Sequence, residues 1–538
     1  MAFHGHHHVF SKPHTILTIN SLTPAFRLNT QPANISPNTW RSSHVRSRRS
    51  ANYHPNIWDY EFVESLNTDY KSEICTKRAG KLKENVKGMF VEAIGLPYSL
   101  KLIDYIQRLG LDYHFHNEIK SALDKICMDA KDYHGSKNYH LTFEALKFRL
   151  FRQHGYEISE DIFKSFIENS NAKKGKVKDV EGLLSLYEAS FYAYEGEKIL
   201  NEAQKVTSKH LQNYLKERND DESSMLIFLE EEISHSFELP LLGRLPRMEV
   251  RRYINMYEMN QDMHPSLLEF AKLDFNMVQA TYHEELKYAS RWWRDLGLHE
   301  SLGFARHRLV ECFLWRHVTE IVYLITVIDD VYDVYGSLDE LKQFKEAIES
   351  KITILWYTLF LQVGYKHGGK PSALYEICFF ALYNTVNEVG YNVLRRNNLD
   401  VVSYLKKSWG DICKSYLIEA TWYYSGYIPT LEQYTNNAWT SIAGPLMSIH
   451  TYCELGDYEN ITKEALESIT TNPISASWRK INTSLSSSRG VFPSSFINII
   501  QNIARTAQYI YQYGDGFGIP NHEAKDRIMS IIVKPIPI

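Results

Sequence analysis

The chain has 538 residues and a formal net charge of −4, with 60 Lys and Arg against 64 Asp and Glu. That balance excludes nucleic acid as the main partner, and the length allows two or three domains with proper hydrophobic cores. Six cysteines (Cys75, Cys127, Cys312, Cys378, Cys413, Cys453) are scattered without a C-x-x-C pair, which excludes a disulfide framework or zinc site and fits a reducing compartment.

In chain order, the first acidic residue is Asp59. Ahead of it stand Lys12, Arg27, Arg41, Arg46, Arg48 and Arg49 among many Ser, Thr, Asn and Pro. A basic, hydroxyl-rich leader without acids has the composition of an organelle transit peptide, here residues 1–47, and it lacks the apolar core of a secretory signal. The cluster His6-His7-His8 is incidental in such a leader. No apolar run approaches the roughly 20 residues that a membrane span needs. From Trp58 onward, blocks such as LKLIDYIQRLGL and HLTFEALKFRLFRQHGY carry apolar residues at three- and four-residue spacing, and clear alternating strands are absent. Phe237 to Ile254, with two prolines and a glycine, reads as the connection between halves. The expectation is an all-α chain of two helical domains, 48–250 and 251–538.

The second half contains IVYLITVIDDVYDVYG, Ile321 to Gly336. An apolar helix there ends in Asp329, Asp330 and Asp333. A turn every ~3.6 residues sets Asp329 and Asp333 on one face, with Asp330 beside them. Three like charges closing a greasy helix cost stability unless a cation neutralises them. Oxygen-only ligands suit a hard ion such as Mg²⁺ or Mn²⁺. An ordinary acidic helix end in solvent is the alternative, which the apolar lead-in disfavours.

Several stretches together resemble plant terpene synthases, most closely the plastid monoterpene synthases. Arg48-Arg49, eight residues, then Trp58 matches the tandem-arginine motif that follows the transit peptide. RWWRDLGL (Arg291 to Leu298), FARHRLVE with Arg306 and Arg308, and DDVYD follow in the family's order, as do ALYNTVNEVGYNVL, YLKKSWGDICKSYLIEATWYYSGYIPTLEQY, WTSIAGP and ARTAQYIYQYGDG. Each motif is moderately specific; the ordered set is highly specific.

The resemblance implies an N-terminal barrel-like helical domain and a C-terminal class I helical bundle, a Mg²⁺-dependent lyase, geranyl diphosphate as substrate, a plastid stromal location and a monomer. Asp329 and Asp333 would be the principal metal ligands with Asp330 in support. Arg306 and Arg308 would hold the departing diphosphate, their fork geometry suiting phosphate oxygens; the alternative is a salt-bridged surface. A carbocation needs a dry pocket with π faces, for which Trp292, Trp439, Tyr452 and Tyr513 are candidates, each equally readable as plain core. Asp515 would close the pocket or end a cation by proton transfer, or is a turn residue between Gly514 and Gly516. Arg48, Arg49 and Trp58 would belong to an N-terminal segment capping the site, unless the arginines are leader residues.

Three departures from the family stand out. Its second metal motif, Asn/Asp-Asp followed by Ser/Thr and Glu, belongs between ALESITTNPIS and ASWRKIN, which here are joined directly near Ser475 to Trp478. A segment is absent after Trp315, near 315–318. Lys351 to Lys370, KITILWYTLFLQVGYKHGGK, stands where the family has a short polar link. These changes point to an imperfect gene model or altered transcript, and to a catalytically impaired chain as one reading. A chain-elongating prenyltransferase also uses D-D-x-x-D but needs a second aspartate-rich motif. A substrate-protonating cyclase needs D-x-D-D, which Asp220-Asp221-Glu222 does not supply. The remaining alternative is a non-catalytic helical protein that binds diphosphate or has no ligand.

Overall fold

A computed structural model describes residues 49–93, 96–132, 141–172, 179–217, 224–349, 373–457, 460–471, 478–487, 491–512, 514–515, 517–519 and 522–538. Arg48, Tyr513, the leader and the unusual stretch 351–370 lie outside the described residues, as do most of the join at 475–478. Among the described residues there is no strand, so the all-α expectation holds. Nor is any described helix long and apolar enough to cross a membrane. The six cysteines are free, and four of them are buried.

The apolar residues gather into two large cores. One takes Ile103, Leu111, Phe115, Leu150, Tyr253 and Phe275. The other takes Tyr282, Tyr323, Val327, Trp409, Tyr452 and Phe496. The helix Pro265–Leu296 serves both: Leu267 to Phe275 fill the first core, and Val278, Tyr282 and Leu286 fill the second. Proline at its start has a preset φ and no need of an N–H partner, and Gly297 ends it at φ 64 in the left-handed region. The domain boundary expected at 250 falls inside the helix Pro246–Glu258, whose apolar face belongs to the first core.

The N-terminal segment does not pack with the residues that follow it in sequence. Trp58, Val63 and Leu66 are buried in the second core, and Trp58 Nε1 donates to the buried carboxylate of Glu311 at 3.1 Å. Trp58→Ala is expected to remove the indole's packing and strand Glu311, lowering stability by about 3–5 kcal/mol. A denaturant midpoint equal to that of the parent would refute this anchoring role.

Two local features of the second half are unusual, and the first lies where the sequence is short. Between Trp315 and the helix Thr319–Asp330 the chain kinks at Arg316, whose φ of 38 and ψ of −85 are strained for a residue with a Cβ. Its guanidinium is fastened to Glu285 at 2.6 to 3.0 Å. The helix Leu431–Ser441 buries none of its residues, and Leu431 is 80% exposed.

Glu320 opens the helix that carries the acidic run. Burial pushes its carboxyl from 4.5 up to about 8, with Glu454 and Glu388 adding to the effect. The folded state therefore keeps this proton across a range in which the unfolded chain has lost it. Stability attributable to Glu320 falls as pH rises from 4.5 to about 8. Glu320→Gln should flatten that slope and raise the melting midpoint at pH 8 by a few degrees; parallel pH profiles for parent and variant would contradict it.

Candidate metal centre

The helix Thr319–Asp330 is apolar along its length and buries Ile321, Tyr323, Val327 and Ile328. It then widens into a π-helical turn, Val331–Tyr335, in which Gly336 N donates to the Val331 carbonyl at 2.8 Å. The three aspartates therefore meet different surroundings. Asp330 points inward and is wholly buried, Asp329 is partly exposed, and Asp333 is exposed.

Asp330 is already committed. It accepts the Arg306 backbone N–H at 2.6 Å and the Arg306 Nε at 2.9 Å, and Tyr53 also bonds to it. Arg306 reaches past it to Asp329, with Nη2 at 2.7 Å from Oδ2. Burial pushes Asp329 up to about 8, with Asp333 adding repulsion and Arg306 opposing both. Desolvation by the surrounding chain, and then Glu419, lifts Asp333 to about 6, while Arg306 and Arg49 pull it down. Glu419 is oriented by Asn437, whose Nδ2 donates to it at 2.7 Å. Arg306 is in direct ion-pair contact with Asp329 and Asp330, and Asp333 has no such contact among the described residues.

This arrangement fits a hard divalent cation. Its donors are all carboxylate oxygens; burial first and neighbouring carboxylates second raise their proton affinities, and a bound cation would favour the ionised form against both. It supplies one wall only: no three potential ligands converge on a point among the described residues. The sequence after Asp333 contains no second Asp-Asp pair.

Arg308, two residues beyond Arg306, turns away from the carboxylates. It is wholly buried, and donates to the His54 carbonyl at 2.7 Å and the Phe517 carbonyl at 3.2 Å. Arg49 lies over the Tyr423 ring at 4.2 Å and donates to the Tyr424 hydroxyl at 3.4 Å. Tyr424 in turn donates to the Gly336 carbonyl at 2.6 Å, so the N-terminal segment crosses beside the exit of the acidic turn. Arg306 stacks over Tyr53 in the same segment, 4.9 Å from the ring centre.

The aromatic candidates separate. Trp292 packs edge-on against Tyr323 at 5.9 Å. Trp439 is partly buried, with an indole N–H that finds no acceptor. Tyr452 is fully buried against Phe492 and Phe496, and its hydroxyl accepts the Thr462 N–H at 3.1 Å, which is the environment of a core residue. Asp515 is exposed and accepts the N–H groups of Phe517 and Gly518 at 3.2 and 2.7 Å, the geometry of an Asx turn. Sequence reasoning missed Tyr53, Tyr416 and Glu419. Tyr416, buried on Val402–Ser425, feels Asp329 and Asp333 electrostatically. The block YLIEATWYY held Tyr416 and Glu419 in sight, one turn apart on a helix face, without marking them as neighbours of the acidic run.

Residues 57–237 match the model of the terpene synthase N-terminal domain, and residues 294–485 match that of the terpene synthase family metal binding domain. Terpene synthase 10 of Ricinus communis is 41% identical over 559 residues, covering 91% of this chain and 98% of that protein. The chain belongs to the terpene synthase family. Myrcene synthase, chloroplastic, of Quercus ilex is 39% identical, covering 91% of this chain and 90% of that protein. Among solved structures, limonene synthase with 2-fluorolinalyl diphosphate aligns with a TM-score of 0.82 and 32% identity, over 91% of this chain and all of that one. The likeness establishes the two-domain all-α terpene synthase fold and a divalent-metal domain in this chain. The alignment with the Ricinus communis relative is 559 positions long but takes in 91% of 538 residues, about 490, so roughly 70 positions of it have no counterpart here.

Proposed function

We propose that this terpene synthase is built as a monoterpene synthase: it ionises geranyl diphosphate with Mg²⁺, forms a C10 product and releases diphosphate. The observation that carries this reading is the pair Asp329 and Asp333, partly exposed and exposed at the end of a buried apolar helix, with Arg306 fixed beside them. The similarity to myrcene synthase and limonene synthase supports the C10 substrate.

Asp329 and Asp333 would hold Mg²⁺, or Mn²⁺ in its place, and Asp330 would act by fixing Arg306. When bound, the metal supplies Lewis-acid neutralisation of the departing diphosphate. Arg306 keeps a guanidinium at the carboxylates, where charge develops on ionisation. Arg308 works at one remove by pinning the segment that carries Tyr53 and Arg49 over the site. Tyr53, Tyr416 and Tyr511 are aromatic side chains that feel these carboxylates, with Trp292, Tyr513 and Trp439 in the same role by sequence position. Residues 1–47 would direct the chain to the plastid stroma, as the name of the Quercus ilex relative supports for that protein. The catalytic unit would be a monomer of two domains, 48–250 and 251–538.

A second reading has its own observation. The residues missing from the alignment, the strained Arg316 and the bare Leu431–Ser441 helix favour a catalytically impaired chain with one ligand wall. Incubating the purified chain, leader removed, with geranyl diphosphate and Mg²⁺ tests both. Volatile C10 products support the first. A cooperatively folded protein without turnover supports the second, and a lengthened prenyl diphosphate would overturn both.

A further inference from the structure

Away from the acidic run, a cavity of about 180 Å³ lies where the two halves of the chain meet. Its walls come from the helix Pro246–Glu258 on one side and from Trp478–Ser487 and Ser494–Tyr511 on the other. Six arginines line it, against two acids, Asp112 and Glu249. Such an imbalance in a partly enclosed space needs an account, because a guanidinium without a counter-charge is costly away from water.

Four of the arginines have one. Arg108 and Arg244 share Glu249 at 3.1 and 2.9 Å, with Glu232 and Glu188 as further partners. Arg149 pairs with Asp104, and Arg152 pairs with Glu197 at 2.6 Å. Arg247 and Arg505 are different: neither forms an ion pair among the described residues. Arg247 is 8% exposed and donates once, to the Phe275 carbonyl at 3.0 Å, and its Nε has no acceptor. Arg505 donates to the Leu242 carbonyl and to Asn502 Oδ1, both at 2.7 Å. Burial lowers its pKa, with only weak opposition from Tyr192, as expected of a cation lacking a counter-charge. The Nε of Arg108 is a second buried donor without an acceptor. Glu249 is saturated by its own arginines, and burial pushes the Asp112 carboxyl up, so neither acid answers the two unmatched guanidiniums.

We infer that this cavity is an anion site separate from the metal centre, taking a phosphate-type oxyanion between Arg247 of one half and Arg505 of the other. Forked guanidinium donors match phosphate oxygens, and the side-chain amides of Asn498 and Gln501 line the same space. Inorganic diphosphate and orthophosphate share this chemistry. Bound there, either would tie the two halves together.

The test is calorimetric titration of the full chain with sodium diphosphate, and separately with orthophosphate, in EDTA so that no metal-bridged binding contributes. Saturable binding that survives Arg306→Gln but weakens about tenfold to a hundredfold in Arg505→Gln and in Arg247→Gln is expected. Arg505 is only partly buried, so Arg505→Gln keeps the test alive if Arg247→Gln fails to fold. The anion should also raise the melting midpoint of the parent and of Arg306→Gln, and not that of Arg505→Gln. Tighter binding of diphosphate assigns the released product of the proposed reaction as ligand, and tighter orthophosphate assigns free phosphate; both support the site. No binding of either anion, binding untouched by both cavity variants, or binding lost in Arg306→Gln overturns it.

Discussion

Inserting a relative's metal-binding segment between Thr471 and Trp478 is expected to raise turnover of geranyl diphosphate by at least about a thousandfold over the parent chain. The reasoning is electrostatic. Ionisation places charge on a leaving diphosphate, and that charge must be met from both sides of the pocket at once. Asp329 and Asp333 would provide one side under the proposed function, and no Asp-Asp pair follows them in the sequence. Several dozen positions of the Ricinus communis alignment have no partner in this chain, so a donor segment is at hand. A graft that folds cooperatively and turns over no faster than the parent would end the view that a missing ligand wall limits this enzyme.

Asp329→Ala, made in that repaired chain, should cut turnover by about a hundredfold or more while leaving the fold intact. Stability is the sharper readout. The folded value near 8 lies above the ordinary 3.8, so ionising Asp329 beside Asp333 costs stability as pH rises through that interval. Removing the carboxyl should therefore raise the metal-free melting midpoint at pH 8 and leave it unchanged at pH 4. The stabilisation conferred by added Mg²⁺ on the parent at pH 8 should shrink in the variant. Arg306 keeps both contacts to Asp330, so its position does not depend on Asp329. A variant that keeps full turnover and the full Mg²⁺ effect would remove Asp329 from the metal site.

The helices were legible because their signal is local. Apolar residues three and four apart announce the Thr319–Asp330 helix, and the acidic run at its end announces a charge problem. The division of labour among the aspartates was not legible. Neighbours on a helix diverge by about 100°, so Asp330 turns inward to the Arg306 backbone N–H and Nε, while Asp329 stays partly exposed and meets Arg306 only through Nη2. The π-helical turn then resets the phase at Asp333. Arg308 and Tyr452 read as site residues by resemblance, yet their partners, Phe517 for one and Phe492 and Phe496 for the other, come from the late part of the chain. Tyr53 escaped for the same reason: nothing near it in sequence hints at Asp330. Contacts of this kind are made by topology, and no short window of sequence contains both ends of them.

The strap formed by residues 49 to 58 also has a bearing on how the protein is made. Its anchors are Arg308 to His54 across 254 residues, Arg49 to Tyr424 across 375, and Lys525 to the Ile57 carbonyl across 468. The first described segment to leave the ribosome is thus among the last to find its place. The Arg308 and Glu311 partners emerge midway through synthesis, but the full set of anchors exists only once nearly the whole polypeptide has been made. A chain arrested before Phe517 would have two helical cores largely formed and its strap loose. The last anchors of the strap, at Lys525 and beside Phe517, therefore depend on translation of the C-terminal residues.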